Sequence, residues 1–269
     1  MDFKNKVILV TGGGSGIGRS CCYEFASRGG RVAIADRDEE GGWETAQVIA
    51  RQHGDAEFFP VDVSLEQQVQ ALVKTVAEKM GGIDALVNNA GIQRYGSATT
   101  TSEQEWDEVL NINLKGAYLT ARHAIPEIIK RGGGAIVNTA SVQAVAAQRN
   151  SLAYVVSKHG LLGLTRCLAL DYAKENIRAN CVLPGAIDTP MLRWAASLDD
   201  HPEQVLDACN RLHALGRMGK AEEVARLIVF LASDLASFVT GAAVPVDGGL
   251  LVPVGGMMFQ ESGTGAKKA

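Results

Sequence analysis

The five cysteines contain no CxxC pair and the five histidines no HExxH spacing, so the usual sequence patterns for a metal site are missing. The cysteine count is odd, and Cys21 and Cys22 are adjacent. That is the pattern of free thiols in a reducing cytosol rather than of a disulfide framework. Charge of one sign is also lacking. Lys and Arg number 26 against 30 Asp and Glu, a net charge of −4, which leaves no basic footprint for nucleic acid. The apolar run near the N-terminus, Val7 to Val10, is four residues long. It is too short for a signal peptide or a membrane span, so the chain reads as soluble and cytoplasmic.

Hydrophobic residues make up 46% of the 269, enough to bury the core of one α/β domain. Short apolar runs alternate with helical stretches. Strands are expected at Val7–Val10, Arg31–Asp36, a segment ending near Asp62, Ile83–Gly91 (a strand and its turn), Ala135–Ser141, Ile177–Gly185 and Ala242–Gly249. Between them lie helical stretches after Gly18, over 38–53, 65–80, 102–130, 151–174 and 221–232. Residues 188–215 are less regular, with a short helix near 203–212. Strands alternating with long helices predict βαβ units: a doubly wound, parallel, seven-stranded sheet with helices on both faces. Domain organisation is read as 1–254 for the single folded domain and 255–269 for a Gly-rich, partly disordered tail. In that tail Met257, Met258 and Phe259 are apolar enough to fold back.

TGGGSGIG, Thr11 to Gly18, stands between the first strand and the first helix. Gly12, Gly16 and Gly18 permit a tight turn, and the backbone N–H groups of Ser15, Gly16 and Ile17 open a helix onto a pyrophosphate. Asp36 closes the second strand 18 residues after Gly18. A carboxylate there accepts from a ribose 2′-OH and repels a 2′-phosphate, which favours NAD over NADP, although Arg37 partly offsets the repulsion. Asp62-Val63 and Asn89-Ala90-Gly91 end the third and fourth strands at the same sheet edge, where ligands bind in open α/β sheets.

Tyr154 and Lys158 are four residues apart on a helical stretch, hence on one face. A neighbouring ammonium favours the phenolate, so the Tyr154 pKa is expected to fall towards working pH. Ser141 ends the fifth strand 13 residues earlier, and Asn113 interrupts a helix where it marks a bend or a bound water. Pro184-Gly185 turns the chain after the sixth strand, and Ile187 and Thr189 follow, placed to meet a nicotinamide amide.

Taken in order, TGGGSGIG, NNAG, the Asn113 helix, Ser141, YVVSK (Tyr154 to Lys158) and PGAIDTP (Pro184 to Pro190) resemble the short-chain dehydrogenase/reductase family, over Lys6 to Gly249. The resemblance implies a Rossmann fold and NAD(P) held by the Gly-rich turn, Asp36, Asp62-Val63, Asn89 and Thr189. It implies Tyr154 as the base, Ser141 orienting the substrate oxygen, Lys158 beside them, and Asn113 holding a relay water. It further implies a homotetramer pairing the 102–130 and 151–174 helices and the C-terminal strands.

Gln93, Arg94, Gln143, Gln148, Asn150, Trp194 and His213 are candidates for the substrate wall. Several amides beside a reacting hydroxyl suit a polyol or sugar. The LGRMG, FLAS, TG and DGG segments resemble the family's aldose dehydrogenases, which implies oxidation of an aldose to its lactone with NAD. The alternatives are a ketone reductase of the 3-oxoacyl-carrier-protein or hydroxysteroid type and a non-catalytic NAD-binding sensor.

Overall fold

The first strand, β1 (Val7–Thr11), is buried along its whole length. Val7 and Leu9 enter one core and Ile8 and Val10 the other, because successive side chains leave opposite faces. A strand apolar on both sides persists only between two helical layers. The computed structural model describes residues 1–252 and builds those layers in a regular alternation. After β1 come α1 (Gly16–Ala26), β2 (Arg31–Asp36), α2 (Glu39–Arg51), β3 (Asp55–Pro60), α3 (Glu66–Met80) and β4 (Ala85–Asn88). Then follow α4 (Glu103–Leu110), α5 (Gly116–Lys130), β5 (Gly134–Thr139), α6 (Leu152–Asp171) and β6 (Ile177–Pro184). The chain ends through β7 (Ile187–Asp188), α7 (Pro190–Ala196), α8 (Pro202–Arg211), β8 (Gly219–Lys220), α9 (Ala221–Ala232) and β9 (Ala243–Val246).

Seven strands pair in parallel in the order β3-β2-β1-β4-β5-β6-β9, as expected; β7 and β8 form a separate two-stranded ladder. Helices α3, α5 and α6 pack one face of the sheet, and α1, α2 and α9 the other. The order reverses between β1 and β4, and a crevice opens there beyond the carboxyl ends of the strands. No helix of the described residues is long and apolar enough to cross a membrane.

Three expectations are corrected. The helix over 102–130 is not continuous: a π-helical turn over Asn111–Lys115 separates α4 from α5, closed by the Gly116 N–H on the Asn111 carbonyl. β3 ends at Pro60, because the Asp62 carboxylate turns back to accept from the Ser64 N–H at 2.9 Å. The stretch after Asp188 contains a helix, α7, where Thr189 caps the Leu192 N–H and Pro190 opens the first turn. The 254/255 boundary and Met257, Met258 and Phe259 lie outside the described residues.

Buried amides set the two site-bearing helices against the sheet. Asn88 on β4 donates to Asn138 on β5 at 2.9 Å, and Asn138 donates to Thr165 on α6 at 2.8 Å. Thr120 on α5 donates to the Asn88 carbonyl oxygen. The glycine turn is set by contact distance: a Cβ on Gly18 would stand 1.9 Å from the Gly12 carbonyl oxygen. Gly18→Ala is therefore expected to destabilise the fold by at least ~2 kcal/mol, read as a lower thermal midpoint; an unchanged midpoint would refute the tight fit.

Candidate active site

The crevice holds a cavity of about 680 Å³. One end is built from the glycine turn and β2. Gly12 (φ 68°) and Gly16 (φ 50°) take left-handed backbone that glycine adopts freely. Ser15 at the N-cap of α1 makes no side-chain cap, and no acid stands in the first turn. The helix end therefore keeps its positive field and open N–H groups for a diphosphate. Asp36 is fixed by two backbone donors, Gly14 N–H at 2.8 Å and Asp38 N–H at 3.0 Å. This donor set fits a dinucleotide: amides for phosphates, then a held carboxylate for a ribose diol.

The other end gathers the side chains of chemical interest. Tyr154 and Lys158 lie on the first turns of α6, and Ser141 follows β5; all three are buried and line the cavity. The Lys158 ammonium donates to the Thr139 carbonyl at 2.8 Å and stands 5.4 Å from the Tyr154 ring centroid. Burial pushes the Lys158 pKa down to about 8. Burial pushes the Tyr154 phenol up to about 12, opposed by the Ser141 hydroxyl and aided by the charge of Tyr95. The expected fall is thus reversed in the free protein. The spacing placed the ammonium correctly, but both groups are desolvated, and desolvation disfavours the charged form of each.

Asn113 sits in the π-helical turn. Its Oδ1 accepts from the Ile92 N–H at 2.8 Å, and its Nδ2 donates to the Ile92 carbonyl at 2.9 Å and the Ser157 hydroxyl at 3.1 Å. Ser157 in turn donates to the Tyr154 carbonyl at 2.7 Å. The wide turn aims the amide at α6, so Asn113 ties the β4 exit to the helix that carries Tyr154. With both Nδ2 hydrogens donated within the chain, a relay water would have to meet an Oδ1 lone pair or the backbone.

Of the residues singled out in the sequence, Gly12, Ser15, Gly16, Ile17, Asp36, Arg37, Asp62, Val63, Asn89, Ala90 and Gly91 line the cavity, as do Pro184, Gly185, Ile187 and Thr189. Gly18 lies behind the turn. Gln93, Gln143 and Gln148 line it too, but their amides are partly spent. Gln143 donates to Gln148 at 2.6 Å, and Gln93 to Ser151 at 3.3 Å. Arg94, Trp194, Asn150 and His213 are not in the wall. His213 is buried, donates or accepts at the Cys209 carbonyl (2.8 Å), and its Nε2 accepts the Ala186 N–H at 3.1 Å, a structural use. Reasoning from sequence missed Tyr95 and the apolar wall of Val142, Ala146, Leu192, Val205 and Leu212. The Thr189-Pro190 pair signals the helix that brings Leu192, whereas no motif marks Tyr95.

A doubly wound sheet with an anion-binding glycine turn at one end of a cavity and a Ser, Tyr and Lys at the other defines a nucleotide-dependent oxidoreductase class. The family profile described as enoyl-(acyl carrier protein) reductase matches residues 12–251. A 2,5-dichloro-2,5-cyclohexadiene-1,4-diol dehydrogenase of Sphingobium indicum is 41% identical over 250 residues, 92% of this chain and 98% of that one. A 3-oxoacyl-acyl-carrier-protein reductase of Thermotoga maritima is 38% identical over 252 residues, 94% of this chain and 100% of that one. Among solved structures, the ligand-free aldohexose dehydrogenase of Thermoplasma acidophilum superposes with a TM-score of 0.86 at 38% identity, covering 94% of this chain and 96% of its own. The chain belongs to the short-chain dehydrogenase/reductase family, whose members use NAD(P) to act on CH–OH groups of small molecules.

The buried ammonium leaves a signature in stability. The folded pKa of Lys158 is below its ordinary value of 10.5, so the folded state is penalised while the group is charged and released as it neutralises. The stability of wild type relative to Lys158→Met should rise with pH between about 8 and 10.5. Chemical denaturation across that window checks it; a difference independent of pH would show the ammonium to be solvated.

Proposed function

We propose that this protein is an NAD-dependent dehydrogenase of a secondary alcohol or hemiacetal carbon borne on a small ring. The observation that carries this reading is the single cavity that has Asp36 at one end and Ser141, Tyr154 and Lys158 at the other. Asp36 supports NAD over NADP, because its fixed carboxylate occupies the place a 2′-phosphate would need. Bound nicotinamide would supply the hydride acceptor. Tyr154 takes the proton of the substrate hydroxyl, and Ser141 holds the same oxygen by hydrogen bonding. Lys158, whose ammonium stands 5.4 Å from the Tyr154 ring centroid, favours the phenolate electrostatically while it is charged. Asn113, through Ile92 and Ser157, fixes the helix that presents Tyr154. An aldose oxidised to its lactone belongs to this substrate class, and the likeness to an aldohexose dehydrogenase supports it. Gln143 donates to Gln148 and keeps its Oε1 buried without a partner among the described residues, an acceptor for one substrate hydroxyl beside an apolar wall, which favours a ring with few hydroxyls.

The same reading includes a cytoplasmic homotetramer. Its supports are the five free cysteines and the exposed apolar residues Tyr118 and Ile129 on α5, Val156 and Leu170 on α6, and Leu235 and Phe238 ahead of β9.

The test is NADH formation over a panel of sugars, cyclic diols and open-chain alcohols with both nucleotides. Tyr154→Phe should bind NAD yet lose at least ~100-fold in kcat. Lys158→Met should move the rising alkaline limb of oxidation to higher pH, since the cation that favours the phenolate is gone. Normal turnover by Tyr154→Phe, or a preference for NADP, would overturn the reading.

A further inference from the structure

Arg94 and Trp194, expected in the substrate wall, stand behind it and hold a residue that does line it. The Arg94 guanidinium pairs with Glu108 on α4 at 3.0 Å and donates to the Gln93 carbonyl at 2.9 Å. Its Cζ lies 5.9 Å from the centroid of the Trp194 ring on α7. Trp194 in turn stacks on Tyr95, with centroids 6.4 Å apart and planes at 22°. Tyr95 is thus backed by a chain of contacts from α4 through α7, which fixes its ring at the cavity.

Tyr95 lines the same cavity as Ser141, Tyr154 and Cys209. Burial, and then Cys209, push its phenol above the ordinary value, so it is a neutral O–H donor at working pH. Among the described residues it makes no hydrogen bond that would occupy it. The cavity it shares is lined by the apolar Val142, Ala146, Leu192, Val205 and Leu212 together with the amides of Gln93, Gln143 and Gln148. Tyr95 is 37% exposed in the open cleft, where water serves its hydroxyl; a ligand that fills the cavity displaces that water and must offer an oxygen in its place, and an analogue without that oxygen leaves the donor unpaired.

We propose that Tyr95 is a substrate-binding residue whose phenol donates to a second oxygen of a compact ring alcohol, the first oxygen lying between Ser141 and Tyr154. The substrate class is then a ring diol or hydroxyketone, which rests on the dehydrogenase reading above and narrows it. Arg94 and Trp194 are positioning residues for that phenol.

The experiment compares 1,2-cyclohexanediol with cyclohexanol in wild type and Tyr95→Phe. The diol should lose about ten-fold more kcat/KM than cyclohexanol, mostly through KM. Trp194→Ala should reproduce the diol-selective loss and Trp194→Phe restore it. Equal losses for the two substrates, or none, would overturn the assignment. Calorimetric titration of diol into protein holding NADH reads the same selectivity without turnover. Tyr95-dependent diol binding without NADH formation would sink the dehydrogenase reading and support the Tyr95 assignment. Equal diol affinities in wild type and Tyr95→Phe would sink the assignment alone, and a wild type that neither binds nor oxidises either ring alcohol would sink both.

Discussion

A buried ammonium governs the site. Lys158 is almost fully removed from water, and its one acceptor among the described residues is the Thr139 carbonyl at the end of β5. Taking an ammonium out of water is costly, and the chain keeps it because it cross-links α6 to the sheet edge and sets a positive charge beside the Tyr154 ring. The same burial disfavours the phenolate. The free protein therefore holds a protonated Tyr154 and a Lys158 with its pKa drawn down to about 8. Such a pair is poised rather than active, and a further positive charge in the cavity favours the phenolate.

The rest of the fold serves that placement. The alternation of Val7 and Leu9 with Ile8 and Val10 makes β1 a two-faced strand, and the parallel sheet that follows presents every carboxyl end to one crevice. The Asn88–Asn138–Thr165 network holds α6 in register with β4 and β5. The π-helical turn aims Asn113 at Ile92 and Ser157, joining the nucleotide side of the crevice to the Tyr154 helix.

Strand alternation, the glycine turn, Asp36 and the Tyr154–Lys158 spacing are local patterns, and each was legible because its cause acts within a few residues. The break at Asn113 was legible as a bend but not as a wider turn, because the partners that favour it, Ile92 and Ser157, come from distant segments. The direction of the Tyr154 shift was misread, since spacing reports a neighbouring charge and not the loss of water. The substrate wall was the least legible part. Gln143 and Gln148 look free in sequence yet are joined by one bond that leaves Gln143 Oε1 without a partner among the described residues, while Tyr95 carries no motif and takes its place from Trp194 and Arg94. These are tertiary pairings, which one-dimensional patterns do not record.

The central claim is that Tyr154 is a buried phenol made competent by positive charge gathered around it. Ultraviolet titration of wild type minus Tyr154→Phe, with and without NAD, tests it most directly. Free protein should show no Tyr154 ionisation until the pH approaches about 12, and NAD should move it down by at least about one unit. A Tyr154 phenolate already present near neutral pH in the free protein, or a titration unmoved by NAD, would contradict the account.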